Sequence, residues 1–359
     1  MFFNRKKGWI GIELGTRALK LVQLERTAGG PRIAASAVVR NAPGVPGSSQ
    51  QGPQAFVWSG RQIATALALN PGFSGRTAAC VLPMRLTDLH TLSIPPGRPA
   101  ERCAMIAHQF PSLFPEDGAR REFDFWNVRT SPDAQSTDDV NVLSVPHGLA
   151  DGVVRGLSQA RLGCETLDGL PFALARAAKL LFGSGPGAVV GAVDWGFEGA
   201  AICVARDGRP LFTRHLRNCG FELVTDAVSE AMSLSEEEAI RVLAKHGLPE
   251  PDSSERTRTQ VQDVLAEVAV PRLNELVAEL KKTLGYLNMQ YPDALPTRYC
   301  LLGDGAMVRN ITAILSRKLQ VPMELWRMPC TQPAGCAPGE EHPEILGTAA
   351  ALSVLAWMR

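Results

Sequence analysis

Two similar segments, one in each half of the 359-residue chain, constrain its fold more than any other feature of the sequence. They are residues 10–16, IGIELGT, and residues 191–196, GAVDWG. Each is typical of an apolar β-strand that ends in an acidic residue and is followed by a glycine and a turn into a second strand. A duplicated hairpin of this kind can direct two loops at one phosphate group, because glycines let backbone N–H groups approach closely and carboxylates hold a metal through water. The alternative is two unrelated hairpins in an α/β protein.

Length and charge narrow the class of protein. At roughly 100–200 residues per domain, 359 residues favour two domains or one large fold with two lobes. The 37 Lys and Arg residues are balanced by 36 Asp and Glu residues, so the formal net charge of +1 provides no basic footprint for a phosphate backbone. We therefore expect no nucleic-acid partner. With 45% hydrophobic residues, the chain has enough apolar side chains for a sizeable core.

The N-terminal residues and the cysteines indicate a cytosolic protein. The first seven residues, MFFNRKK, are not followed by the long apolar region of a signal peptide. No apolar run reaches the roughly 18 residues that a membrane-spanning helix needs. The eight cysteines are scattered and form no Cys-x-x-Cys pair, which favours reduced core thiols over disulfides or a zinc site. We therefore expect a protein that is neither secreted nor embedded in a membrane.

The order of predicted elements indicates two related halves and an insertion. The chain opens with three strands before a loop rich in Pro, Gly and Ser at residues 41–53, and its second half repeats the strand–turn–strand opening. Residues 84–146 predict strand, helix, strand, strand, which is a compact α+β insert. We thus expect a first lobe at residues 1–183, containing that insert, and a second lobe at residues 184–359. Pro271 is expected to split or to start a long helix that ends near Tyr291.

Five segments, in order along nearly the whole chain, carry a resemblance to a known family. Residues 9–24, WIGIELGTRALKLVQL, are similar to that family's first phosphate loop, usually G-I-D-I-G-x-x-x-V-K-x-V-x-L. The others are similar to its connecting helix (170–176), the hairpin after its second phosphate loop (207–214), its adenosine segment (301–326) and its closing helix (344–350). On these motifs the chain resembles the type IV pilus assembly protein PilM family, within the actin, Hsp70 and sugar-kinase ATPase superfamily. The insert falls where PilM and its cell-division relative FtsA carry an extra subdomain.

The resemblance implies an α/β fold of the actin-like (ribonuclease H-like) type, with two duplicated lobes and the inserted α+β subdomain. It also implies a site for ATP and Mg²⁺ in the cleft between the lobes. As degenerate counterparts of the family's acids, Glu13 and Asp194 would hold the metal through water. The phosphates would contact the two hairpin turns, at Gly15, Thr16, Arg17, Lys20, Gly196 and Phe197. The adenosine would contact Gly303, Asp304 and Gly305.

Two neighbouring lysines have two interpretations. In the superfamily a basic residue packs on the nucleotide base, and Lys281 and Lys282 fit that place on the predicted long helix. Alternatively they belong to a solvated helix face, where Glu275 and Glu279 stand at spacings that form ion pairs. The sequence leaves both interpretations open.

Four departures from the family pattern predict weak or absent hydrolysis, and no residue is assigned a catalytic role. Glu13 replaces the usual Asp and is one methylene longer, and a misplacement of about 1 Å can cost about 100-fold in rate. Leu170 stands where relatives place an acid or Gln that orients the attacking water, and it can neither accept a proton nor hold water. The second loop has aromatic residues and Glu198 in place of small hydroxyl residues, which crowds and repels a triphosphate. Asp304 replaces a glycine beside the phosphates.

The resemblance therefore implies a cytoplasmic scaffold of a type IV pilus or related secretion assembly. PilM relatives hold the N-terminal cytoplasmic peptide of the bitopic inner-membrane protein PilN in a groove near the insert. The chain is expected to bind such a peptide and, through that partner, to lie at the inner face of the membrane. Two alternatives stay open: an active ATPase whose nucleotide state regulates the partner, and an FtsA-like filament protein that self-associates. In the insert, Phe123, Phe125 and Trp126 belong either to the peptide groove or to the core.

Overall fold

The computed structural model describes residues 6–40, 58–114, 120–127, 138–183, 185–250, 258–328 and 342–358. The strands, in chain order, are β1 (Lys7–Leu14), β2 (Ala18–Thr27), β3 (Gly30–Arg40), β4 (Thr77–Val81), β5 (Asp88–Ile94), β6 (Arg121–Asn127), β7 (Asp138–Pro146), β8 (Gly163–Asp168), β9 (Val189–Trp195), β10 (Ala200–Arg206), β11 (Arg209–Leu216), β12 (Tyr299–Leu302) and β13 (Met323–Leu325). The α-helices are α1 (Gly60–Ala68), α2 (Pro99–Leu113), α3 (His147–Gln159), α4 (Leu170–Phe182), α5 (Glu222–Met232), α6 (Glu236–Lys245), α7 (Gln260–Gln290), α8 (Ile311–Leu319) and α9 (Gly347–Ser353). The loop predicted at residues 41–53 lies outside the described residues.

Two five-stranded mixed sheets have the same topology. The strand order is β3-β2-β1-β4-β8 in the first sheet and β11-β10-β9-β12-β13 in the second. In each sheet three antiparallel strands are joined by hairpins, and two parallel strands follow on the other side of the central strand. The duplication predicted from the two similar segments is therefore present, and β1 and β9 occupy equivalent central positions.

Helices cover both faces of the first sheet because its central strands are apolar on both sides. On one face, Ile10 of β1 packs in a cluster with Ile63 of α1 and Leu157 of α3. On the other face lie α4 and α9. The start of α1 is fixed by a capping box, in which the side chains of Ser59 and Gln62 each bond the other's backbone N–H.

The last helix of the chain packs against the first sheet. The Oγ of Ser353 in α9 donates to the carbonyl oxygen of Trp9 at 2.6 Å and accepts from the N–H of Leu24 at 2.9 Å. Gly11 in β1 permits this close approach, because a Cβ at that position would lie 1.9 Å from the carbonyl oxygen of Ala349. The end of the chain is thus anchored to its beginning, whereas the division into lobes at residues 183 and 184 stays a prediction.

The predicted insert is a three-stranded antiparallel sheet with one helix. Its strand order is β5-β7-β6, and α2 covers one face. Phe123 and Phe125 pack against the apolar core of the insert beside Ile106 of α2, so these two aromatic residues belong to the core. The ring of Trp126 contacts Phe172 of α4 edge to face, with centroids 4.9 Å apart. This contact joins the insert to the helix that follows β8.

The prediction that Pro271 splits or starts the long helix is wrong. The α7 helix runs from Gln260 to Gln290 with Pro271 inside it, and a capping box at Thr259 fixes its start. A proline inside a helix costs roughly 3 kcal/mol through its lost N–H and its clash with the preceding turn. The helix buries a row of apolar side chains between Leu265 and Leu287, at roughly 1.5–3 kcal/mol each, and this burial outweighs the proline.

Among the described residues, no helix combines the length and the apolar composition that crossing a bilayer requires. The buried cysteines of this part of the chain, Cys80, Cys203, Cys219 and Cys300, carry free thiols. Cys103 and Cys164 are also free thiols, whereas Cys330 and Cys336 lie outside the described residues.

Candidate functional site

The turns after the two acid-ending strands meet at one cleft. Because β1 and β9 are the central strands of equivalent sheets, Glu13 and Asp194 both line it, and Asp304 reaches it from the loop after β12. The cavity between them measures about 90 Å³. Its lining includes the predicted site residues Glu13, Gly15, Thr16, Arg17, Lys20, Asp194, Gly196, Phe197 and Asp304. The structure thus brings together residues from the first and the second half of the chain.

A buried lysine occupies the centre of this cleft. Lys20 in β2 stands opposite Glu13 in the β1–β2 ladder, and its Nζ donates to Glu13 Oε1 at 2.9 Å. The same Nζ lies 3.4 Å from Oδ2 of Asp304. Lys20 is 2% exposed and Asp304 is 6% exposed, so both charges are removed from water. Because Glu13 belongs to the first sheet and Asp304 follows a strand of the second, this ammonium group links the two halves.

The charged groups of this cluster set one another's protonation. Burial alone lowers the pKa of Lys20, but the carboxyl groups of Asp304, Glu13 and Asp194 outweigh it and raise the pKa, so the ammonium stays charged. Burial raises the pKa of Glu13, and Lys20 opposes that shift. Burial, followed by repulsion from Glu13, raises the pKa of Asp194 to about 8. At neutral pH Asp194 therefore holds a proton, and it is a poor ligand for a cation in that state.

The loop predicted to contact adenosine is packed against the protein itself. Gly303 has a φ of +91°, which favours glycine, and a Cβ there would lie 2.3 Å from Oδ1 of Asp194. A Cβ on Gly305 would lie 2.1 Å from Cδ2 of Trp195. The Trp195 indole is buried and donates from Nε1 to the carbonyl oxygen of Cys219 at 3.0 Å. The space beside both glycines is therefore filled by protein atoms.

Two arginines of the first half bridge to acids of the second half at the mouth of the cleft. Arg17, in the β1–β2 turn, pairs with Glu236 at the start of α6, and its guanidinium lies 4.9 Å from the ring centroid of Phe197. Arg85, just after β4, pairs with Glu198 in the β9–β10 turn, with Nε and Oε2 2.5 Å apart. These side chains are between a fifth and a third exposed, so the pairs lie at the rim of the cleft.

Two other lining residues limit the chemistry of the cleft. Leu170, the first residue of α4, is buried and lines the cavity with an apolar side chain. It offers no atom that accepts a proton or orients a water molecule, as its sequence position suggested. Burial, followed by the charges of Arg217 and Arg85, lowers the pKa of His215 to about 4. Its imidazole is therefore neutral at physiological pH and adds no positive charge for a phosphate.

The two predicted base-contacting lysines lie elsewhere. Lys281 and Lys282 are exposed on α7 and are not among the residues that line the cleft. The Nζ of Lys282 pairs with Oε1 of Glu279, one turn earlier on the same helix, at 2.5 Å. This geometry favours the solvated-face interpretation, and the contact with a nucleotide base stays a prediction.

As arranged in this structure, the cleft residues do not fit a magnesium-bound nucleotide. Mg²⁺ is held by oxygen ligands, whereas here an ammonium already contacts two of the three carboxyl groups. Within the described part of the chain, no group of three or more His, Cys, Asp or Glu side chains is arranged to hold a metal ion. A cavity of about 90 Å³ is also well below the roughly 300 Å³ at which ligand pockets usually begin.

Comparison with solved structures identifies the fold. A chain from the PilM–PilN type IV pilus biogenesis complex matches with a TM-score of 0.73 and 22% identity, over 98% of this chain and 99% of that one. The chain has an actin-like fold. The ethanolamine utilization protein EutJ from Carboxydothermus hydrogenoformans matches with a TM-score of 0.53 and 16% identity, over 98% of this chain and 90% of that one. A chain of the MamK double helical filament matches with a TM-score of 0.51 and 10% identity, over 97% and 98% of the two chains.

These matches confirm the predicted fold class, and they confirm the resemblance to PilM at the level of the fold. The match to the chain from the PilM–PilN complex covers nearly the full length of this chain, including the insert. No protein-family model and no curated protein sequence matches this chain.

Sequence reasoning missed three residues that shape the cleft. Arg85 and Glu236 form the rim pairs described above, and Arg40 NH1, at the end of β3, lies 3.8 Å from Oδ1 of Asp304. None of them belongs to a motif, and each meets its partner only through the docking of one sheet against the other. The only local signal that could have pointed to these three residues is that each lies near the end of a strand or at the start of a helix.

Proposed function

We propose that this chain is an actin-like scaffold of a type IV pilus or related secretion assembly. In this role it binds the N-terminal cytoplasmic peptide of a PilN-like inner-membrane protein and lies at the inner face of the membrane through that partner. The observation that carries the proposal is the likeness to the chain from the PilM–PilN complex, which extends over 98% of this chain and includes the insert.

The insert offers main-chain groups to an extended peptide. Its strand β6 lies at one edge of the β5-β7-β6 sheet, and no described strand pairs with its outer side. An edge strand presents N–H and C=O groups on which a further strand can form. Recognition of this kind depends on main-chain hydrogen bonds and side-chain pockets, so it is compatible with a chain whose net charge is only +1.

Trp126 is the side chain that we assign as the anchor of this site. It stands in β6, and its ring packs on Phe172 of α4. Its Nε1 is buried and has no hydrogen-bond partner among the described residues. Tryptophan combines a large apolar surface with one donor, and it is enriched among the residues that dominate binding energy at interfaces. We therefore place the peptide between β6 and the start of α4.

Hydrolysis of ATP is not part of the proposal. The position that would orient an attacking water is Leu170, and in the cleft Lys20 already pairs with the carboxyl groups of Glu13 and Asp304. For the filament alternative, the fold shared with MamK is the only support, and a shared fold does not determine function.

Titration calorimetry with a synthetic peptide tests the proposal. The peptide corresponds to the N-terminal cytoplasmic segment of a PilN-like bitopic membrane protein. We expect Trp126→Ala to weaken binding by about tenfold or more, since truncating an interface anchor costs about 2 kcal/mol or more. The matched control is Trp357→Ala, because Trp357 packs under Arg26 at the C-terminal end and also has an Nε1 without a described partner. Equal losses in both variants, or no binding by the unaltered chain, would contradict the proposal.

A further inference from the structure

We infer that Lys20 takes the place of the metal and nucleotide as the link between the two halves, so that the cleft is closed in the free chain. The inference concerns the chain without any partner, and it therefore does not rest on the proposed function. It assigns a role to Lys20, which among the described residues is the one buried cation that lines the cleft.

The centre of the cleft already contains its positive charge. Lys20 Nζ lies 2.9 Å from Glu13 Oε1 and 3.4 Å from Asp304 Oδ2. A divalent cation entering between these carboxylates would be repelled by the ammonium group at short range, where Coulomb energies in a partly buried site are large. Lys20 therefore supplies the neutralising charge that a metal would otherwise bring.

Asp304 excludes the phosphate side of a nucleotide in the same way. Its carboxylate is 6% exposed and stands in the loop after β12, between Lys20 and Arg40. A phosphate at this point would meet a carboxylate, and separating that carboxylate from Lys20 would leave a buried charge unpaired, which is costly. The acid and the lysine are thus interdependent.

Two further contacts close the cleft at its rim. Arg17 pairs with Glu236, and Arg85 pairs with Glu198. Each pair joins an element next to a strand of the first sheet to an element of the second half. Together with the Lys20–Asp304 contact, they hold the halves at three separate points.

The second half presents an acidic surface at this rim. Burial, followed by the charges of Glu198 and Asp226, raises the pKa of Glu222, and the charges of Arg17 and Arg85 oppose that shift. A triphosphate entering past this surface would be repelled, whereas Arg17 and Arg85 from the first half are attracted to it.

Because internal contacts already close the cleft, a nucleotide has no further closed conformation to stabilise. A ligand shifts an equilibrium only by the difference between its affinities for the two states. Beside Gly303 and Gly305 the space is filled by Asp194 and Trp195, and the remaining cavity measures about 90 Å³. We therefore expect one and the same closed conformation with and without ATP.

The first experiment adds ATP and Mg²⁺ to the unaltered, full-length chain during thermal unfolding. A site of micromolar affinity at about 1 mM ligand would raise the melting temperature by about 5 °C or more. We expect a shift of less than about 1 °C. A rise of the larger size would overturn the inference, whatever the variants below show.

The second experiment measures hydrogen exchange in the cleft loops of Lys20→Met, with Lys282→Met as the matched control at an exposed ion pair. We expect backbone exchange at residues 13–20, 194–200 and 303–307 to accelerate by about tenfold or more in Lys20→Met, because local opening no longer breaks a buried ion pair. The control should exchange like the unaltered chain. Unchanged exchange in Lys20→Met would show that the lysine does not hold the cleft closed.

A double variant covers the case in which Lys20→Met does not fold. Lys20→Met combined with Asp304→Asn removes one of the two carboxylates that lose their partner, so the double variant should fold more readily than Lys20→Met and retain the accelerated exchange of the loops. If the double variant instead exchanges as slowly as the unaltered chain, apolar packing closes the cleft and the inference is wrong.

Discussion

The two halves of this molecule share a topology and differ in charge. The strands β1 and β9 occupy equivalent places, and both end in an acid that faces the same cleft. The first half contributes the cations Arg17, Lys20 and Arg85, whereas the second half contributes the acids Asp194, Glu198, Glu236 and Asp304. Of the described residues in the first half, Glu13 is the one acid that lines this site, and Lys20 on the neighbouring strand pairs with it.

This difference shows how a duplicated fold can change its chemistry without changing its architecture. In a site for a metal and a phosphate, glycine N–H groups and acids from both halves contact one shared ligand. Here the two halves carry opposite charges and attract each other directly. The sheets, and the glycines at the ends of their strands, stay in place while the ligand becomes unnecessary for closure.

The strongest test of this asymmetry removes the central cation. Lys20→Met should lower the free energy of unfolding by about 3–5 kcal/mol, since it leaves carboxylates buried without their partner. Urea denaturation measures the loss, and the double variant with Asp304→Asn should recover part of it because the unpaired charge is removed. Strictly additive losses for the two substitutions would show that the residues from the two halves do not act as a pair.

Gly305→Ala tests whether the adenosine loop is packed on the protein rather than open to a ligand. The new Cβ would lie 2.1 Å from the Trp195 ring, so we expect a loss of about 1–3 kcal/mol from overpacking. Gly285→Ala is the control, because nothing lies within 4 Å of its Cβ position on α7 and alanine favours the helix by about 0.5–1 kcal/mol. If urea denaturation shows that Gly305→Ala leaves the free energy of unfolding unchanged, the loop faces open space.

Asp194→Asn tests the protonation of the second acid. The pKa of Asp194 is raised from 3.8 to about 8, so the folded chain keeps a proton that the unfolded chain releases above about pH 4. The stability that this proton provides is present at low pH and is lost progressively between about pH 4 and pH 8. Asparagine has no such loss, so the variant should become progressively more stable than the unaltered chain as the pH rises from about 4 to about 8.

Urea denaturation across that pH range provides the measurement for Asp194. The advantage of the asparagine variant should vanish near pH 4, where both chains carry a neutral group at this position. A stability difference that does not vary with pH, or that grows toward acid, would contradict a raised pKa.

Arg85→Gln is the smallest of the four effects. The Arg85–Glu198 pair is partly exposed, at 30% and 23% of the two side chains, so we expect a loss of about 0.2–1 kcal/mol. The loss should shrink in about 1 M salt, where the Debye length falls to about 3 Å. A loss that is unaffected by salt would place this pair in the buried core rather than at the rim.

Most of the fold could be predicted from local patterns. The repeat around Glu13 and Asp194 predicted the duplicated sheets. Apolar alternation in the insert predicted its strands, although the sequence did not decide between core and groove for Phe123 and Phe125. The prediction for Pro271 was wrong because the free-energy cost of one proline inside a helix is smaller than the free energy gained by burying the apolar side chains along α7.

The site was less predictable because its decisive contacts join distant parts of the chain. Lys20 and Asp304 are 284 positions apart, and no spacing rule relates them. The sequence showed that the second loop contains aromatic residues, but it did not show that the Trp195 indole fills the space beside Gly305. For Lys282, helical spacing allowed both interpretations, and only the placement of α7 relative to the cleft separates them.

The central claim is that this chain binds its partner with a cleft that needs no nucleotide. Its most direct test is calorimetric titration of the full chain with the PilN-like N-terminal peptide, in the presence and absence of ATP with Mg²⁺. We predict binding with the same Kd in both titrations, to within about twofold, which is less than about 0.5 kcal/mol. An absence of binding in both would contradict the scaffold function. Binding that requires ATP, or that weakens markedly with it, would contradict the internally closed cleft.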